Sequence, residues 1–192
     1  MKQCNKFIFL LICISALTLL FAACKKDKGP AFSFDGFDIM DTAGIKVDHI
    51  GPADNDWTFN SPLTDAEIAL FDFPVSEDLL NTSEAVLSSR MLVYPNPAPL
   101  VQNLEINASD SVLLKLVVAD GNLKVLTKGA IKFAGDLAVT LDYSSDSHLF
   151  PDGAALRFYY SFSALNKPNF KMGYGDIKIC YGFTPGNYMD CF

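Results

Sequence analysis

His49 and His148 are the only histidines in the chain, so imidazole acid–base chemistry must use one of them. A hydrolase needs a nucleophile, a base and an orienting acid within reach. Ser144, Ser145 and Ser147 flank His148, but this is a polar Ser/Asp stretch of the kind that forms turns. No Gly-x-Ser-x-Gly elbow occurs. The histidines are far apart and lack a close Cys or Glu partner, which argues against zinc. Asp35, Asp38 and Asp41 recur every third residue, and Asp54-Asn55-Asp56 follows. Clustered oxygens suit calcium, but neither run has the spacing of a calcium loop and no Glu closes one. The expected role is turn-forming Asp on a solvated face. Gly173-x-Gly175 leads into a strand pattern rather than a helix, so it is not a phosphate loop. Tyr159, Tyr174 and Tyr188 are expected at the surface, where they would stack on sugar rings or cover sheet edges. The expectation is a protein that is not an enzyme, with no catalytic residue, no metal and no cofactor.

The cysteines carry more information. Lys2 and Lys6 form a positive n-region, and Phe7 to Phe21 is an apolar run. Ala22, Ala23 and Cys24 follow, then Lys25-Lys26-Asp27-Lys28. The apolar run is short for a span, which needs about 20 residues. The pattern resembles a bacterial lipoprotein signal, in which the cysteine is acylated and becomes the new N-terminus. That resemblance implies a signal peptide over 1–23, lipidation at Cys24 and a tether over 24–30. It implies anchoring in the outer membrane, on its periplasmic or its surface face. Cys4 and Cys13 leave with the signal. Cys180 and Cys191 then remain, in a compartment that can be oxidising. Pro185-Gly186-Asn187 between them turns the chain back, so a disulfide is expected, with two separate buried thiols as the other reading.

The chain has 192 residues, a formal charge of −7 and 50% hydrophobic residues. Removing Lys2 and Lys6 with the signal makes the remainder more acidic. That balance excludes nucleic acid as the natural partner, because phosphate contacts need clustered Lys and Arg. The length suits one domain plus a small annex.

Several elements must hold these residues. Residues 31–90 read as an N-terminal annex. Phe32, Phe34 and Phe37 can dock on a sheet, Ile45 to Ile50 alternates as a strand does, and Trp57 and Phe59 suit a core plug. Thr64 and Glu67 form a capping box, which predicts a short helix near 64–72, ended by Phe73-Pro74. About two turns cannot stand alone in water, so this helix must pack on something. Residues 76–90 are open between helix and strand. Residues 91–192 read as a β domain. Tyr94-Pro95-Asn96-Pro97 bends the chain at its entry, since neither ring fits a helix or a central strand. Leu104 and Ile106 alternate with polar neighbours. Val112 to Val118 is apolar on both faces and predicts a central strand. Asp120-Gly121-Asn122 and Pro151-Asp152-Gly153 are turns. Leu156, Phe158, Tyr160 and Phe162 alternate with Arg157, Tyr159, Ser161 and Ser163. On that period Phe158 and Leu116 face inward and Arg157 faces solvent, so Arg157→Ala is expected to cost much less than Phe158→Ala. The fold class is mainly β, an antiparallel β-sandwich with one short helix in the annex.

Val93-Tyr94-Pro95-Asn96-Pro97-Ala98, the strand at Leu104-Glu105-Ile106 and the run into Asp120-Gly121-Asn122 resemble the C-terminal sorting domain of type IX secretion cargo. The likeness covers about the last half of the chain and implies a compact β-sandwich. Taken whole, the chain resembles small lipoproteins of the Bacteroidota. The expected function is a lipid-anchored envelope protein whose sandwich is a binding or structural module. Its partners are the membrane, through Cys24, and an envelope protein or glycan. The alternatives are a secretion-linked sorting or attachment domain, and a weak glycan binder or hydrolase.

Overall fold

The computed structural model describes residues 32–192 other than 35, 53–55, 60, 76–84, 89–90, 166 and 185. The expected signal, Cys24 and the tether lie outside the described residues, as do Asp35, Asp54 and Asn55. The protein is mainly β and its ladders between named strands are antiparallel. A hairpin of β1 (Phe37–Met40) and β2 (Lys46–Ile50) forms a small sheet. The second sheet has five strands: β3 (Leu92–Tyr94), β4 (Val101–Ala119), β5 (Val125–Asp142), β6 (Ala155–Ala164) and β7 (Lys167–Lys178).

β4 and β5 organise the rest. They form one hairpin of 19 and 18 residues, where the sequence suggests several shorter strands. The turn at Gly121 and Asn122 joins them, with Asp120 Oδ1 accepting from the Asn122 and Lys124 amides. The ladder is broken once, between Ala108–Gly135 and Val112–Phe133. Three residues of β4 there oppose one of β5, and Gly135 sits at φ +78°, a value that costs glycine little. Such a bulge bends a strand pair, and here it folds the hairpin over on itself. Leu104 and Ile106 from one half then meet Leu114, Val118, Phe158 and Phe162 from the other in a single core.

β4 is flanked along its length. β5 lies on one side, and β3, Leu87 and β6 follow one another on the other. Apolar residues on both faces of Val112–Val118 match this central place. The predicted capping box exists: Thr64 Oγ1 accepts from the Glu67 amide, and Glu67 Oε2 accepts from the Thr64 amide at 2.8 Å. It starts α1 (Asp65–Ile68), which a 3-10 turn, Ala69–Phe71, continues. Phe71 packs on Val117, Ala119 and Tyr159, on the face of the sheet away from the main core. Lys115 Nζ donates to the carbonyls of Phe71 and Phe73, 3.3 and 3.4 Å away. This turn needs its partner surface, as its length requires.

The annex therefore covers the second face of the sheet, and this corrects two expectations. Arg157 is buried rather than solvated, and Tyr159 and Tyr174 are buried rather than exposed. Alternation along β6 implies a single core, whereas both of its faces are covered. Phe158 is inward as expected, but Leu116 is only partly buried.

Candidate functional site

A buried polar seam joins annex to sheet. Arg157 Nε and Nη2 donate to Asp176 Oδ1 and Oδ2 at 2.6 and 2.7 Å, and Nη2 also donates to the Ser33 carbonyl. The guanidinium carbon lies 4.1 Å from the ring centre of Phe32 and 3.9 Å from that of Tyr174. A planar, forked cation fits this stacked, bidentate place and an ammonium does not. Burial works against the charge, but the Asp176 carboxylate outweighs it and raises the Arg157 pKa. Glu67 Oε1 accepts from the Tyr159 hydroxyl at 2.9 Å. Burial, then that carboxylate, push the Tyr159 pKa up.

The seam continues through Asp56, whose two oxygens accept from the Asp176 and Asp38 amides at 2.8 and 3.1 Å. Burial first, then the Asp176 carboxylate, raise the Asp56 pKa to about 8. Asp38 Oδ1 meets Lys46 Nζ at 2.7 Å and His49 Nδ1 at 2.9 Å. Asp38 and Asp56 are thus buried tie points, not turn residues on a solvated face. Their oxygens are taken by amides and cations, which fastens the annex to the sheet.

Trp57 closes the seam. Its amide donates to the Tyr174 carbonyl at 3.1 Å, and its indole packs on Phe158 and Tyr160. Gly173 and Gly175 lie inside β7 and make room for it. A Cβ on Gly175 would stand 2.1 Å from the indole, and one on Gly173 would stand 2.4 Å from the Thr58 carbonyl. The two glycines thus serve close backbone approach. The Tyr-Pro-Asn-Pro corner is fixed in the same manner. Asn96 is fully buried; its Nδ2 donates to the carbonyls of Asp38 and Asp176, and its Oδ1 accepts from the Lys178 amide. Both X-Pro bonds of the corner are cis. Just beyond it, Ala98 bridges Ile179 in parallel.

These contacts cover the edge at β7, whereas the edge at β5 is different. β5 pairs with β4 alone among the described residues. Its inward residues Ile131, Phe133, Leu137, Val139 and Leu141 are only half-buried. Leu116, Val118, Ile131, Val139, Leu141 and Phe158 line an apolar groove of about 250 Å³. Gly129 stands in its wall, with open space where a Cβ would be. This groove is the unclosed side of the folded hairpin, and with the β5 edge it is the candidate site. A wider cleft of about 590 Å³ lies between Phe59, residues 85–88 and Lys167, Phe170 and Lys171. It adjoins segments outside the described residues.

The other expected residues are dispersed. Cys180 and Cys191 are joined by a disulfide, with Cα atoms 5.7 Å apart. It returns the C-terminus to the first hairpin, where the Tyr188 hydroxyl donates to Asp48 at 2.6 Å and Phe192 lies against Phe37. His148 is exposed in the turn after β5, far along the chain from the His49 that sits on Asp38. Ser144 Oγ donates to Asp142, not to His148. No group of three His, Cys, Asp or Glu suited to a metal occurs among the described residues. Nor is any described helix long and apolar enough to cross a membrane. The β5 edge escapes a reading of the sequence because Gly129 and Gly135 suggest breaks. Its signal is the absence of proline over 125–142 together with Lys128, Lys132 and Asp136 spaced along it, since charges of this kind guard exposed edges. No protein-family model, curated protein or solved structure matches the chain.

Proposed function

We propose that this chain is a lipid-anchored envelope protein whose folded sheet serves as an interaction module, presented to its partner through the β5 edge. The observation that carries the reading is the contrast between the two edges. Trp57, Asn96 and Ala98 occupy the β7 side, while the 18-residue β5 has no strand beside its outer edge among the described residues and borders an apolar groove. A long edge offers a row of unpaired N–H and C=O groups to another strand, and strand addition is a standard mode of protein recognition. The seam supports the same reading, since its polar groups are used in fastening the annex. The anchor rests on the Ala22-Ala23-Cys24 pattern behind an apolar run.

The test is fractionation of Cys24→Ser. Each buried CH₂ of an acyl chain is worth about 0.8 kcal/mol, and two chains give a stable anchor. The parent chain is expected with membranes and the variant in the soluble fraction. Equal membrane association of both would remove the lipoprotein part of the proposal.

A further inference from the structure

We infer that the partner of the β5 edge is a second copy of the same chain, paired antiparallel about a two-fold axis through Ala134. This rests on the reading of β5 as the presented edge and names its occupant. Directly opposed residues of an antiparallel pair share a face, so odd residues of β5 must oppose odd ones and even must oppose even. The axis therefore passes through a residue. An axis at Lys132 sets that lysine against its own copy, and one at Ala130 sets Lys128 against Lys132. Both place like charges in direct opposition, which is destabilising. An axis at Ala134 sets Lys132 against Asp136 of the second copy, and by symmetry does so twice. Both residues lie on the outer face, where Asn107 Nδ2 holds Asp136 at 2.8 Å. On the inner face the same register sets Ile131 against Leu137, Gly129 against Val139 and Thr127 against Leu141. The half-buried apolar row of each copy then continues into that of the other, over both grooves.

The bend selects the same residue independently. The hairpin folds where Ala134 alone stands opposite three residues of β4, 109–111. A two-fold axis there lays bend on bend, so both arms of each folded sheet run on into the partner. An axis several residues away would set a straight arm against a bend. Closed two-fold pairing also removes the edge from both copies, leaving no template for a third.

The test uses the full chain, with its own signal, extracted from cells without reductant. Copies of Ala134→Cys would meet on the axis with Cα atoms about 4.5–5.5 Å apart, within disulfide range. Copies of Ala138→Cys would stand eight residues apart along the strand, roughly 27 Å. A covalent species of twice the monomer mass is expected from Ala134→Cys, and from neither Ala138→Cys nor the parent. Adding Lys132→Asp should lower its yield ~10-fold by opposing like charges, and adding Asp136→Lys to that variant should restore it. Equal crosslinking from position 138, or no rescue by the charge swap, overturns the register. A crosslinked species of another mass overturns the second copy while leaving the interaction module standing. An Ala134→Cys monomer whose introduced thiol resists alkylation places another part of the same chain on the edge and overturns the dimer. An Ala134→Cys monomer whose introduced thiol reacts fully overturns both the dimer and the β5 module, whatever Cys24→Ser shows about the anchor.

Discussion

Arg157 lies between the rings of Phe32 and Tyr174 with its guanidinium forked onto Asp176, at 3% exposure. Removing it strands the fully buried Asp176 carboxylate. Losing one member of a buried ion pair costs about 3–5 kcal/mol, as much as the cavity left by truncating a buried Phe. Arg157→Ala and Phe158→Ala are therefore expected to lower unfolding free energy by similar amounts in urea titrations. Arg157→Lys should recover little, because an ammonium can neither fork nor stack. A loss below about 1 kcal/mol for Arg157→Ala, the level of an exposed pair, would mean that the annex does not cover this face.

At the scale of elements, the crossing of Trp57 over β7 depends on two missing side chains. The indole rests where a Cβ on Gly175 would stand, and Trp57 itself holds φ 59°, a region that bulky residues rarely enter. Gly175→Ala must displace the ring, and overpacking of this kind costs about 1–3 kcal/mol. The chain has one tryptophan, so its fluorescence reports this site alone. The variant is expected to emit further to the red and to be quenched more readily by acrylamide. An unchanged spectrum together with unchanged stability would contradict the close crossing. The capping box and the central strand are legible in the sequence, because caps and two-sided apolar runs are local patterns. The role of the Gly173–Gly175 pair is not, since what it makes room for is more than a hundred residues away.

For the molecule as a whole, Asp56 links stability to pH. Its pKa rises from 3.8 to about 8 in the fold, through burial and then the charge of Asp176, with Asp38 adding to it and two backbone amides opposing. Between those values the folded chain holds a proton that the unfolded chain has released. Stability from this group is therefore full below about pH 4, falls as pH rises through about 8, and is level beyond. Melting temperature is expected to decline across that window. Asp56→Asn removes the titrating proton and should flatten the slope, although its amide must meet a backbone N–H and so lowers stability overall. A slope unchanged in Asp56→Asn would assign the pH dependence to other groups.

The sequence by itself determined what depends on neighbours along the chain. These are the capping box, the turns at Gly121 and Gly153, the Pro-x-Pro corner and the predominance of β-strand. In each, a few adjacent residues set backbone angles or a hydrophobic period. Only the tertiary structure decided which face of each strand is wet. A period of two shows that faces differ, not that a separate annex covers the second one, so alternation alone sends Arg157, Tyr159 and Tyr174 outward. The tertiary structure likewise decided that β4 and β5 are single bent strands, because a bulge defines itself against its partner. Among the described residues it left β5 paired on one side only, since edges follow from which strands find neighbours, and that is a property of topology rather than of any residue.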